Sequence, residues 1–126
     1  MADTARRIID SVDARCPNQI ELSDKCRRLE EMEKFFFDSI FSRFWGCEAI
    51  HLYTHEAGED LAKDEMAIPE PYSKVYEYGL EMLIHQTNGD IDHYNNAQIL
   101  YRDALNDFQK FWTRTHMPKR APRFRL

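Results

Sequence analysis

Proline and glycine fall almost everywhere at the joints of a 3.6-residue apolar pattern in this chain, and that placement leaves little room for anything but a helical bundle. Pro17, Gly46, Pro69, Pro71, Gly89, Pro118 and Pro122 lie in or beside gaps in the pattern, where a residue that cannot or need not continue a helix does least harm. Only Gly58 and Gly79 fall inside helical stretches. A chain of 126 residues is long enough for one core that buries roughly two-thirds of the unfolded surface. Eight Phe, six Tyr and two Trp supply bulky material for it. The expected fold is all-α: one bundle domain of four to five helices over residues 1–116, followed by an extended basic tail over 117–126.

The periodicity places a first helix over 4–15, capped by Asp3 or Thr4, with Ala5, Ile8, Val12 and Cys16 on one stripe and Ile9 beside it. Pro17 ends it. Ser23 or Asp24 is the expected cap of a long second helix running to Trp45, with Gly46 as its stop. Its first half is a plain amphipath, Cys26, Leu29 and Met32 facing inward. Its second half carries Phe35, Phe36, Phe37, Ile40, Phe41, Phe44 and Trp45, which at 100° per residue cover more than half the circumference. Two readings fit: a central helix packed on several sides, or a surface for a partner.

A third helix is expected over 47–63, with Ile50, Tyr53, Ala57 and Leu61 on one side. The fourth is expected to start near Pro71 and to turn Tyr72, Val75, Tyr76, Gly79, Met82 and Leu83 inward. Glycine on a buried stripe costs about 1 kcal/mol against alanine, so Gly79 predicts a close crossing with a neighbouring helix. Thr87, Asn88, Gly89 and Asp90 make a compact turn, after which Asp90 or Asp92 caps a last long helix to Thr115. Tyr94, Ala97, Tyr101, Ala104, Phe108 and Phe111 give that helix a broad apolar face, with Leu100, Leu105 and Trp112 flanking it.

Charge is unevenly distributed. The net charge is −5, but the five basic residues from Thr113 onward meet no acidic ones, leaving 12 basic against 22 acidic in residues 1–112, or −10. No apolar run approaches the roughly 20 residues that span a bilayer, and residues 1–7 lack a secretory signal's apolar stretch. A cytoplasmic, acidic protein with no membrane association is expected. Cys16, Cys26 and Cys47 are odd in number, widely spaced and without a Cys-x-x-Cys pair, which speaks against a disulfide framework or a zinc ribbon.

The pattern with most chemical content is Glu48-x-x-His51 with Asp90-x-x-His93, the acid-x-x-His repeat from which bundles build two-metal carboxylate sites. Glu30, Glu33, Glu77 or Glu81 are candidates for the remaining ligands, and His55 lies one turn after His51. Helical phase opposes a buried site. Glu48, His51 and His55 fall opposite Ile50, Tyr53, Ala57 and Leu61, and Glu77, Glu81 and His85 fall opposite Tyr72, Val75 and Leu83. The base reading therefore has no cofactor. Its alternative is a transition metal ion on Glu48, His51, His55 and His93.

The functional expectation is a non-enzymatic helical accessory or adaptor protein that contacts a protein partner, or another copy of itself. Phe35, Phe41 and Trp45 on the aromatic helix are the candidate contacts, with Lys119, Arg120, Arg123, Phe124 and Arg125 in the tail. Nucleic acid is a further possible partner of that tail. A body at −10 disfavours it, because it repels phosphates within a Debye length of about 8 Å.

Overall fold

The structure is a computed structural model and describes residues 4–44, 50, 52–53 and 65–116. These form four α-helices, α1 (Ala5–Arg15), α2 (Leu22–Ser39), α3 (Lys74–Asn88) and α4 (Ile91–Thr115), with a 3₁₀ turn over Phe41–Arg43 after α2. Among the described residues there is no strand; Thr4 and Glu65 form an isolated antiparallel bridge. The all-α expectation holds. The described helices number four; the helix expected over 47–63, the stop at Gly46 and the tail lie outside the described residues.

α1 starts as its sequence requires: the Thr4 side chain accepts a hydrogen bond from the Arg7 amide at 3.3 Å, and Ala5, Ile8, Ile9 and Val12 are buried. The connector to α2 is knotted by Asn18, whose amide nitrogen donates to Asp13 Oδ1 at 3.0 Å and to the Cys16 carbonyl at 2.9 Å. Its oxygen accepts from the Ile20 amide. Lys25, 8% exposed at its side chain, donates to Asp13 Oδ1 at 2.7 Å. Burial alone raises the Asp13 carboxyl, but hydrogen bonds from Lys25 and Asn18 and the Lys25 charge outweigh it and hold the group below its ordinary value. A carboxyl depressed in the native state stabilises fully above the unfolded-chain pKa of about 3.9, and that stabilisation fades as pH falls through the native value. Because Asp13 is 41% exposed, solvent screening holds the cost of Asp13→Asn to about 1–2 kcal/mol at neutral pH. Urea midpoints of wild type and variant are expected to differ at pH 7 and to converge below about pH 4.

α2 begins one residue before the expected cap, with Glu21 in extended conformation at the N-cap and no side-chain hydrogen bond there. It ends at Ser39, not Trp45. Ser39 and Ser42 turn their hydroxyls back onto the Phe35 and Asp38 carbonyls at 2.7 and 2.9 Å, a competing bond that loosens a helix. Tertiary packing supplies the larger reason. The 3₁₀ turn that follows α2 buries Ile40, Phe41 and Phe44 and sets the two phenyl rings against α4. Phe41 meets Trp112 and Phe108 edge-on at 4.9 and 5.9 Å, and Phe44 meets Trp112 at 6.5 Å. Such offset and edge contacts are the favoured aromatic geometries.

The central helix is α3 rather than the second half of α2. It packs against α1, α2 and α4, and Val75, Tyr76, Glu77, Gly79, Leu80, Glu81, Met82 and Ile84 are buried around it. It begins at Lys74, three residues after Pro71, following a turn in which the Tyr72 amide reaches the Pro69 carbonyl at 3.0 Å. The crossing that Gly79 implies is present: a Cβ there would stand 2.2 Å from Met32 Sδ of α2. Gly89, at φ 72°, ends α3 in the left-handed conformation that glycine adopts most readily. Its amide bonds the Gln86 carbonyl at 3.2 Å and the Asp90 amide bonds the His85 carbonyl at 2.9 Å, the paired bonds of a Schellman motif. Asp90 then caps α4 by accepting from the His93 amide at 3.2 Å.

Candidate functional site

The compact α3–α4 turn brings together side chains eight residues apart. His85 stands in the last turn of α3 and His93 in the first turn of α4, with ring centres 5.3 Å apart. His93 Nδ1 lies 2.5 Å from Asp90 Oδ2. The His93 amide, then its imidazole and the charge on His85, hold the Asp90 carboxyl below its usual value. A groove of about 480 Å³ runs from this pair toward the end of α1, lined among others by Cys16, Glu81, His85, Asp90, His93 and Asn96. Burial and the nearby Glu81 carboxylate push the Cys16 thiol up. It therefore stays protonated at neutral pH and is a poor nucleophile.

Glu77 and Glu81 do not face solvent, as their phase against Tyr72, Val75 and Leu83 suggests. Both are buried, because α1 covers the face of α3 opposite its apolar stripe. Glu77 Oε1 accepts from Ser11 Oγ at 2.6 Å and from Arg15 at 3.2 Å, and Arg15 also reaches Glu81 Oε1 at 2.9 Å. Arg7 lies 3.8 Å from Glu77 and 3.7 Å from Glu70. His85, expected on the same outward face, is half-buried.

Glu33 is the most deeply placed carboxylate described, with no exposed surface. Oε1 accepts from the Ala67 amide at 2.8 Å and the Tyr53 amide at 3.3 Å, and Oε2 accepts from Tyr76 Oη at 2.9 Å. Tyr76 Oη in turn accepts from the Ile68 amide at 2.9 Å. The carboxylate ties backbone on the approach to α3 onto α2. Sequence phase holds the signal for this: Cys26, Leu29, Glu33 and Phe36 follow 3, 4, 3 spacing on the buried stripe.

Of the candidate contact residues, Phe35 is 54% exposed. Phe41 is the opposite: it has no exposed surface and is enclosed by Phe108 and Trp112, so it has no face to offer a partner in this conformation. Trp45, Lys119, Arg120, Arg123, Phe124 and Arg125 lie outside the described residues. So do Glu48, His51 and His55. His93 is the one member of that ligand set that is described, and it is engaged by Asp90. Among the described residues no three His, Cys, Asp or Glu side chains gather closely enough to hold a metal by themselves, and no helix is long and apolar enough to cross a membrane.

No protein-family model matches the chain, and neither a curated protein nor a solved structure matches it.

Proposed function

We propose that this chain is a non-enzymatic helical adaptor whose protein contact centres on Phe35 of α2. One observation carries the reading: Phe35 is left 54% exposed in the body of a helix while its neighbour Phe36 is fully buried. Large aromatic side chains concentrate binding energy at interfaces, and burying the exposed part of a phenyl ring in a partner's pocket is worth on the order of 1–2 kcal/mol. Glu31 and Asp38, four residues before and three after Phe35, are both exposed and share its side of the helix. The partner that fits is a protein with an apolar pocket and a basic rim, drawn in by the acidic body of the chain. The basic tail, with Lys119, Arg120, Arg123, Phe124 and Arg125, is the second proposed contact, and the cytoplasm the proposed location.

The test is a nuclease-treated pull-down from native extract with wild-type protein, Phe35→Ala and a form trimmed of residues 119–126, the eluates quantified by mass spectrometry. One stoichiometric protein is expected with wild type and to fall at least tenfold with Phe35→Ala, the loss usual for a central contact. An eluate that is the same for all three forms overturns the reading. A second copy of the chain as the sole partner replaces the heterologous partner with self-association.

A further inference from the structure

We propose that His85 and His93 form a two-histidine site for a divalent transition-metal ion, with Asp90 as the positioning residue behind His93. The argument starts from the turn. Gly89 in the left-handed conformation and the two Schellman bonds fix where α3 stops, and the Asp90 cap fixes where α4 starts. Both imidazoles therefore project from backbone held at that junction. Their ring centres are 5.3 Å apart. Two imidazoles bound to one ion through bonds of about 2.1 Å, at angles between square and tetrahedral, have ring centres about 4.5–5.5 Å apart. The pair is thus already at the spacing of two ligands on one ion.

The bond between His93 and Asp90 gives the second, independent indication. A carboxylate only accepts, so the Nδ1 that lies 2.5 Å from Asp90 Oδ2 is the protonated nitrogen. That leaves the lone pair on Nε2, at the far side of the ring from the carboxylate. Metal-binding histidines are commonly held in this way, with a carboxylate fixing the tautomer and raising the basicity of the ligating nitrogen. Glu81 is spoken for by Arg15 at 2.9 Å and is not one of the ligands. Imidazole nitrogen selects zinc, copper or nickel over magnesium and calcium, which prefer oxygen. Both histidines line the groove, which leaves room for water or a donor from another molecule to complete the coordination.

The test uses the full chain, stripped of metal by chelator and desalted, titrated with ZnCl₂ and followed by calorimetry and by NMR of the imidazole carbons. One equivalent of Zn²⁺ is expected to bind saturably below about 1 mM, shifting the signals of His85 and His93 together. His85→Ala and His93→Ala are each expected to weaken binding at least tenfold, whereas His116→Ala, whose ring stacks on Trp112, leaves it unchanged. Asp90→Asn keeps a good helix cap but removes the carboxylate charge, and is expected to weaken binding about tenfold. The NMR shifts in the wild type serve if a variant fails to fold. Absence of any shift at His85 and His93 up to about 1 mM Zn²⁺, or unchanged affinity in both single-histidine variants, overturns the site.

Discussion

Glu33→Ala is expected to cost about 3–5 kcal/mol, the range for stripping one partner from a buried charged network. The Tyr53 and Ala67 amides and the Tyr76 hydroxyl all donate to this carboxylate, and alanine leaves those bonds unmade in a site with no access to water. Each buried donor without an acceptor costs about 1–3 kcal/mol, and the lost side-chain volume adds a cavity. Glu33→Gln separates charge from hydrogen bonding. Its remaining oxygen can take both amides, which Oε1 alone already accepts, and its NH₂ can donate to Tyr76 Oη. The phenolic proton loses this acceptor and the second amide hydrogen has to be accommodated in the same buried site, so a cost of about 2 kcal/mol, below that of Glu33→Ala, is expected. Urea unfolding gives both values, and hydrogen exchange locates the damage: protection of the Tyr53, Ala67 and Ile68 amides is expected to fall in Glu33→Ala before the helices lose theirs. A loss below about 1 kcal/mol in Glu33→Ala would show that the carboxylate does not clamp this backbone.

What the chain discloses in advance follows a physical division between local and tertiary control. The Asp90 cap, Gly89 as the end of α3 and the Thr4 cap of α1 are legible because each depends on a few consecutive residues. So is Gly79, since glycine on a buried helical stripe has few uses besides a close crossing. The end of α2 is not, because the aromatic run to Trp45 keeps the helical period, and the packing of Phe41 and Phe44 against α4 appears only in three dimensions. Glu77 and Glu81 mislead for a related reason. An apolar stripe marks one packed face, but α3 has a further packed face lined by carboxylates, and those belong inside only once Arg15 and Ser11 of α1 lie over them. Glu33 was legible by phase and concealed by chemistry, since a carboxylate in register with Leu29 and Phe36 is ordinarily read as solvated. The pairing of His85 with His93 required the geometry of the turn, which residue spacing alone does not supply.

The contrast between Phe41 and Phe35 is the sharpest test of how α2 and the segment after it divide core from surface. Phe41→Ala is expected to destabilise by about 3–4 kcal/mol, because it removes the edge contacts with Phe108 and Trp112 and leaves a void beside both rings. Phe35→Ala, at a position more than half exposed, is expected to change stability by no more than about 0.5 kcal/mol. Partner capture should rank the two the other way. Phe35→Ala leaves the fold intact and removes the proposed contact, so binding fails at full stability. Phe41→Leu keeps most of the buried volume at a cost of about 1–1.5 kcal/mol and should retain the partner in proportion to the folded fraction, which thermal melts report. If Phe41→Leu loses the partner while still folded, and Phe35→Ala keeps it, the contact lies on the α2–α4 aromatic core, and the adaptor surface must be one that opens when that core parts.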